Sequence, residues 1–282
     1  MGTLELLVRT HFTLVAAEKG TQLKDVICYG SGFMMAYKGY KFFVTAAHVN
    51  EPTWTKQAKV KEIRDNDVAI VTHLAQMKDG VMQTMYIPIG GFTYINSFKV
   101  DPSTTDFLSV FNEAEKNPIP VDVAVAMVDE RPGVFSFKEW ATLEESNYNW
   151  EAMSKIIMPS ETIIAPDIND HYFVYGRIKF EPKIDDKGQP YMYSEPRFHC
   201  DMEYYTTIQD NIHVFKATEN IVYEEWAGIS GSPVLNPNGY VVGIASAVSV
   251  GTPFLFALDI KQVLPLFDVL ILEKKHLSNT LK

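Results

Sequence analysis

Short segments rich in β-branched and aromatic residues, separated by turn residues, recur along most of the chain. Strands are predicted at residues 26–37, 40–46, 68–76, 81–89, 121–128, 172–178, 212–217, 231–235, 240–248 and 253–258. Lys38-Gly39 is predicted to join the first two strands as a hairpin, and Asp79-Gly80 the next two. Residues 236–239 have the composition of another tight turn. Many short strands and regular turns favour an all-β sandwich or barrel over an alternating α/β fold.

Helical patterns are sparse before the C-terminal region. Asp259 and Gln262 have the spacing of a capping box, and Pro265 shortly afterwards predicts either a kink or a second helix start. Residues 141–150 are polar and lack a strand pattern, so we predict a linker there. This linker divides the chain into an N-terminal half, residues 1–140, and a C-terminal half, residues 151–282.

Composition excludes several classes of protein. The 282 residues are 46% apolar and 12% aromatic, which is typical of a globular protein with a large core and excludes disorder for most of the chain. No apolar run reaches the roughly 18–20 residues of a membrane-spanning helix. The net charge of −10 makes the surface a poor match for nucleic acid or an anionic membrane. The sequence therefore predicts neither as a partner.

The two cysteines, Cys28 and Cys200, cannot form a disulfide framework or a four-ligand zinc site, which suggests a reducing compartment. The first residues show no secretion signal. Together these features predict a cytoplasmic location. The histidines show no metal-ligand spacing, so no metal is predicted.

Three short motifs contain residues that are suited to nucleophilic catalysis. Residues 44–49 read Val-Thr-Ala-Ala-His-Val, residues 120–125 read Pro-Val-Asp-Val-Ala-Val, and residues 228–234 read Gly-Ile-Ser-Gly-Ser-Pro-Val. A serine hydroxyl needs a base to take its proton, and histidine titrates near neutrality. A buried carboxylate fixes the imidazole and stabilises its charged form. His48, Asp122 and Ser230 are thus candidates for base, acid and nucleophile.

The motifs Thr-Ala-Ala-His and Gly-x-Ser-Gly-x-Pro, in this order, resemble those of the trypsin-like serine proteases, and most of all the disulfide-free bacterial branch of that family. The resemblance implies two antiparallel six-stranded-type β-barrels of the chymotrypsin fold with a C-terminal helix. His48 and Asp122 would come from the N-terminal barrel and Ser230 from the C-terminal one. The backbone N–H groups of Gly228 and Ser230 would form the oxyanion hole, and Ser246 would lie beside the substrate.

Two departures from the family pattern affect the expected regulation. Val49 stands where animal members have a cysteine, in agreement with a chain without disulfides. Ile229 stands where an aspartate usually pairs with the N-terminal amine freed by zymogen cleavage. An isoleucine cannot accept that ion pair, so we predict no activation of this kind.

Two aspartates compete for the role of the acid. Asp67 is followed by the same apolar-Ala-apolar pattern as Asp122. Spacing favours Asp122, because the fold needs a helical turn and a hairpin between the histidine and the acid, and few residues separate His48 from Asp67. The alternative for Asp67 is a solvated turn residue.

Substrate preference is less constrained by the sequence. Glu224 lies six residues before Ser230, where the resembled fold has the base of its specificity pocket, and a carboxylate there would favour a basic substrate side chain. Alternatively, Glu224 faces water because loop lengths differ. Val248 stands where the family usually has glycine, which would narrow the pocket mouth.

The sequence thus predicts a trypsin-like serine endopeptidase that acts on polypeptides through an acyl-enzyme and needs no cofactor. A cytoplasmic protease must be restrained by a regulatory partner, by a distorted oxyanion hole or by narrow specificity. The alternative is a pseudoprotease that uses its cleft to bind proteins or peptides. A third interpretation keeps the serine chemistry but takes esters as substrates.

Overall fold

The computed structural model describes residues 2–20, 26–51, 66–74, 83–97, 119–128, 138–141, 151–184 and 190–280. The N-terminal elements are α1 (Thr3–Thr10), β1 (His11–Ala17), β2 (Val26–Tyr37), β3 (Tyr40–Thr45), α2 (Ala47–Asn50), β4 (Asp67–Leu74), β5 (Gln83–Pro88), β6 (Phe92–Ser97), β7 (Ile119–Val128) and β8 (Lys138–Ala141). The C-terminal elements are β9 (Glu151–Ser154), β10 (Met158–Pro159), a 3₁₀ turn (Ser160–Thr162), β11 (His171–Ile184), β12 (Pro190–Ile208), β13 (Ile212–Lys216), α3 (Tyr223–Trp226), β14 (Pro233–Leu235), β15 (Val241–Val248), β16 (Phe254–Asp259), a 3₁₀ turn (Ile260–Val263) and α4 (Leu264–Thr280).

The N-terminal strands form one sheet in the order β5-β4-β1-β2-β3-β7-β6, and β10 pairs in parallel with β2. The C-terminal strands form a closed barrel in the order β11-β12-β13-β16-β15-β14. The predicted fold class, all-β in two units with a C-terminal helix, is confirmed. The first unit differs from the expected closed barrel, because no ladder joins β5 to β6 within the described part of the chain.

The hairpin predicted around Lys38-Gly39 is confirmed. Lys38 and Gly39 have φ values of 48° and 81°. Positive φ at both central residues matches the right-handed twist of the flanking strands, which is why two-residue hairpins favour this turn. The predicted Asp79-Gly80 turn lies outside the described residues, as does most of the predicted linker at residues 141–150.

Several strands are missing from the sequence prediction, among them β1, β6 and β12. β1 is buried along its whole length between β2 and β4, so it lacks the polar alternation that marks a half-buried strand. β12 is a 19-residue strand whose described positions are mostly half-buried or exposed. Its long pairing with β11 stabilises it, and this pairing leaves little trace in the local sequence.

The C-terminal barrel contains the predicted turn at residues 236–239. The Asn236 side-chain oxygen accepts hydrogen bonds from the N–H groups of Asn238 and Tyr240, at 3.1 and 3.0 Å. Gly239 completes the turn at a φ of 79°. The hairpin between β14 and β15 is thereby closed tightly.

The C-terminal helix packs on the first unit and not on its own barrel alone. Asp259 accepts from the N–H of Lys261 at 3.0 Å and caps the 3₁₀ turn, and α4 begins directly afterwards, so Pro265 lies in its first turn and marks a second start. The Phe267 ring stacks on Phe42 of β3 with centroids 4.1 Å apart. The core therefore runs across both units. No helix in the described ranges is both long and apolar enough to cross a bilayer.

Candidate active site

His48 and Asp122 are brought together by the pairing of adjacent strands. β3 ends at Thr45 and leads into the short helix α2, which carries His48, while β7 pairs with β3 at Thr45 and Ala124 and so places Asp122 beneath that helix. His48 Nδ1 lies 3.0 and 2.9 Å from the two carboxylate oxygens of Asp122. The backbone N–H of His48 also donates to Asp122 Oδ1 at 3.0 Å. The carboxylate thus fixes both the ring and the helix that carries it.

Asp67 lies elsewhere. It begins β4, and its carboxylate accepts from the N–H of Gly20 at 2.8 Å. β4 pairs with β1 and β5 and not with β7, so the geometry brings Asp122 and not Asp67 to His48.

Burial and pairing act in opposite directions on the two groups. Burial lowers the pKa of His48, but the hydrogen bond and the negative charge of Asp122 outweigh it and leave the pKa above its ordinary value. Burial likewise raises the pKa of Asp122, and its bonds to His48 and Ser246 outweigh this and hold the pKa below its ordinary value. Asp122 is therefore ionised at neutral pH and favours the protonated imidazole.

Ser246 supplies a further hydrogen bond to the acid. This residue lies on β15 of the barrel, and its hydroxyl donates to Asp122 Oδ2 across the boundary between the two units. The sequence predicted Ser246 beside the substrate, and the structure does place it in the wall of the cleft. Its side chain, however, is engaged with the carboxylate.

Ser230 lies half-buried in the turn between α3 and β14, and it lines the same cleft as His48. Its hydroxyl donates to the carbonyl oxygen of Ser246 at 3.3 Å. Among hydrogen bonds between described residues, none joins Ser230 to His48. The hydroxyl must therefore leave the Ser246 carbonyl before its proton can pass to the imidazole.

The turn around Ser230 depends on two glycines. Gly228 and Gly231 have φ values of 97° and 90°, where other residues are strained. A Cβ at Gly228 would collide with the Arg177 carbonyl oxygen, and one at Gly231 with the Ser31 carbonyl oxygen. In the portion of the chain that the structure describes, the N–H groups of Gly228 and Ser230 have no hydrogen-bond acceptor, and both residues line the cleft. These are the two donors predicted for an oxyanion hole.

The cleft has a volume of about 520 Å³ and a largely apolar wall. Beside the turn and His48 it is lined by Ile27, Cys28, Tyr29, Tyr223, Trp226, Ala227, Ile229, Ala245, Ser246, Ala247, Val248, Val250 and Leu255. Over the described ranges, no carboxylate, lysine or arginine contributes to this lining. Glu224, predicted at the base of a specificity pocket, is exposed and lies outside it. On α3 the inward position is taken by Trp226, which is 6% exposed.

Ser31 and His11 are the polar residues near the turn that sequence reasoning missed. The Ser31 hydroxyl donates to the carbonyl oxygen of Gly228 at 2.6 Å, and His11 Nε2 lies 2.8 Å from that hydroxyl. The flanking glycines were a local signal, since a Cβ at Gly30 or Gly32 would collide with neighbouring residues. His11 has no comparable signal, because its contacts depend on the packing of β1 against β2.

No cluster of three or more His, Cys, Asp or Glu side chains that could hold a metal ion occurs within the described residues. Around the turn, the structure brings together a hydroxyl, an imidazole–carboxylate pair and backbone N–H donors, and the Cys28 thiol lines the wall of the same cleft.

Comparison with known proteins gives a distant structural likeness. No family model matches the chain, and no curated protein matches it. The fold aligns with the serine endoprotease from Yersinia pestis, at 15% identity over 96% of this chain and 67% of that one, with a TM-score of 0.44. It aligns with human heparin binding protein, at 15% identity over 91% and 89% of the two chains, with a TM-score of 0.46.

A third alignment is with the tobacco vein mottling virus protease, at 8% identity over 90% and 78% of the two chains, with a TM-score of 0.43. Likenesses at this level carry no argument about activity. The function of the chain is therefore inferred from the geometry of its cleft alone.

Proposed function

We propose that the protein is a serine endopeptidase in which Ser230 is the nucleophile, His48 the general base and Asp122 the acid that orients it. One observation carries the proposal: His48, held by Asp122 through Nδ1, lines the same cleft as Ser230 and two backbone N–H groups that have no acceptor among the described residues. Three motifs far apart in the sequence supply these groups. A binding-only cleft has no need of all of them.

The reaction follows from the positions of these groups. Ser230 Oγ attacks the carbonyl carbon of a peptide bond while its proton passes to His48 Nε2. The oxyanion of the tetrahedral intermediate accepts hydrogen bonds from the N–H groups of Gly228 and Ser230. His48 then gives its proton to the leaving amine as the C–N bond breaks. Water attacks the acyl-enzyme by the same route and regenerates the serine.

Asp122 acts through charge and geometry. It stays ionised throughout, and it stabilises the imidazolium that forms when Ser230 loses its proton. The hydroxyl of Ser246 and the N–H of His48 occupy its remaining acceptor positions, so the carboxylate faces the ring in one orientation.

The cleft lining supports a preference for an apolar side chain next to the scissile bond. A lysine or arginine side chain would lose its water there without gaining a carboxylate partner, since Glu224 faces solvent. An aliphatic side chain would instead be buried against residues such as Val248 and Leu255. The proposed substrates are therefore polypeptides with an apolar residue at the cleavage position.

One observation favours a second candidate, a resting or catalytically silent form. Ser230 donates to the Ser246 carbonyl and not to His48. A protein in which this bond persists would bind polypeptides in the cleft without cleaving them.

A fluorophosphonate probe separates the two candidates. We expect labelling of wild type and none of Ser230→Ala or His48→Ala, with the folding of each variant checked by circular dichroism. A peptide library then tests substrate class, with cleavage expected after aliphatic residues. Folded wild type that resists labelling would contradict the proposed activity, and labelling with cleavage of esters but not peptides would replace the peptidase by an esterase.

A further inference from the structure

The peptide bond between Gly228 and Ile229 lies between the two donors of the proposed oxyanion hole. The N–H groups of Gly228 and Ser230 belong to the peptide units on either side of it, so anchoring this peptide restrains the backbone that carries both donors. Both ends of this peptide are bonded: the Ser31 hydroxyl donates to the Gly228 carbonyl at 2.6 Å, and the Ile229 N–H donates to the Trp226 carbonyl at 3.2 Å.

Ser31 holds the turn at a second point. Its backbone N–H donates to the carbonyl oxygen of Ser230 at 2.8 Å. The carbonyl of Ser31 is in turn held by the Thr45 hydroxyl at 2.6 Å. Ser31 thus belongs to the N-terminal sheet but bonds to two carbonyls of the barrel's nucleophile turn, and it is 0% exposed.

His11 extends this contact into the core. A carbonyl oxygen can only accept, so the single hydroxyl proton of Ser31 is used on Gly228. The contact of 2.8 Å between Ser31 Oγ and His11 Nε2 then requires that His11 be the donor. The histidine is 1% exposed, and its ring packs edge-on against Tyr175 with centroids 4.7 Å apart. The direction of donation is therefore fixed as His11 to Ser31 to Gly228.

We infer that Ser31 and His11 are positioning residues, which hold the Gly228–Ile229 peptide so that both flanking N–H groups face the cleft. The inference rests on the proposed function, since these donors matter only if an oxyanion forms there. The two residues do not touch substrate. Their effect is on the transition state, through the geometry of donors that are set before substrate arrives.

The chain offers a closely matched control. Ser232 is also 0% exposed, and its hydroxyl also donates to a backbone carbonyl at 2.6 Å, that of Tyr175. This hydroxyl has no recorded bond to the Gly228–Ile229 peptide, and the bond from the Ser232 backbone N–H to the Ile229 carbonyl, at 2.9 Å, is kept when the side chain becomes alanine. Ser31→Ala and Ser232→Ala therefore remove the same group from equally buried sites, and we expect similar losses of thermal stability. Only the first should loosen the oxyanion hole.

The test measures two things in wild type and in each variant. One is the second-order rate constant of fluorophosphonate labelling, and the other is the pair of constants kcat and KM for a p-nitrophenyl ester. For Ser31→Ala we expect labelling and kcat to fall about tenfold or more, with KM within about twofold. Ser232→Ala should stay within about threefold of wild type in the labelling rate and in kcat. Ser31→Thr, which keeps the hydroxyl, should recover part of the rate. His11→Gln keeps a hydrogen-bond donor for Ser31, so its labelling rate and kcat should be higher than those of His11→Leu.

A failure of the positioning role and a failure of the proposed function give different results. Equal rates for Ser31→Ala and Ser232→Ala, with wild type labelled, would overturn the positioning role while leaving the proposed function intact. Equal rates for wild type and His11→Leu would overturn the part assigned to His11. Folded wild type that is not labelled at all would overturn the proposed function and the positioning role with it.

Discussion

The two units contribute chemically different halves of the cleft. The N-terminal sheet supplies the titrating pair, His48 and Asp122, whereas the C-terminal barrel supplies the proposed nucleophile Ser230, neutral N–H donors and an apolar wall. Each unit also gives one serine hydroxyl to the other: Ser31 of the sheet bonds to the barrel's turn, and Ser246 of the barrel bonds to the sheet's carboxylate. Neither half of the site is therefore oriented by its own unit alone.

The largest effect is expected where the charged half is broken. Asp122→Asn should lower the labelling rate by about 10⁴-fold, because an amide cannot stabilise the imidazolium and can hold the wrong tautomer. Asp67→Asn is the matched control, since Asp67 binds only the Gly20 N–H among the contacts that the structure records. It should leave the rate within about twofold. An equal loss in both variants would contradict the assignment of the acid.

The pH dependence of the labelling rate should also differ between wild type and Asp122→Asn. His48 must be neutral to accept a proton, so the wild-type rate should rise with pH as His48 deprotonates, with a midpoint above the ordinary value of about 6.5. In Asp122→Asn only burial remains, which lowers the pKa of His48, so the midpoint should move down. A wild-type midpoint below the ordinary value would count against the pairing.

The apolar half is tested at Val248, which pairs with Leu255 across the β15–β16 ladder and lines the cleft. Val248→Ala removes two methyl groups, and we expect the kcat/KM ratio of phenylalanine over valine substrates to rise about tenfold. Val250→Ala is the control, because Val250 also lines the cleft but is 58% exposed. An unchanged ratio in Val248→Ala would remove this residue from the specificity argument.

The smallest effect on activity is expected at His199, which lies outside the cleft on the barrel and is predicted to affect stability instead. Its ring stacks on Trp226 with centroids 3.6 Å apart. Burial lowers the pKa of His199, and this effect outweighs that of the hydrogen bond to the Glu225 carbonyl, which raises it, so that the pKa is about 4. The unfolded chain therefore takes up this proton first as pH falls, and stability should decline between about pH 6.5 and 4. His199→Phe keeps the stacking on Trp226 but cannot take up a proton, so its free energy of unfolding should fall less steeply with pH than that of wild type. Urea unfolding at several pH values measures this. An equal decline in both proteins would contradict the role assigned to His199.

Local motifs predicted the polar residues proposed for catalysis, because these sit in short patterns with glycine or strand signals around them. His48, Asp122, Ser230 and the two N–H donors of the turn were identified in this way. Spacing alone chose Asp122 over Asp67, and the ladder between β3 and β7 supplies the physical reason.

Contacts that cross the two units could not be predicted in this way. Ser31 and Gly228 are 197 residues apart, and their hydrogen bond depends on how the sheet and the barrel pack. Glu224 is a case in which the sequence predicted a contact that the packing does not make. Its distance from Ser230 along the chain was informative only if α3 turned a carboxylate inward, and the bulk of Trp226 occupies that position instead.

The stacking of Phe267 on Phe42 has a consequence for how the chain is made. β3 leaves the ribosome long before the helix that covers it, so the first sheet must wait with an uncovered aromatic face while the barrel is synthesised. A nascent chain interrupted before Phe267 would keep that face exposed. Such a fragment is expected to bind chaperones or aggregate, so the first sheet depends on synthesis having passed α4.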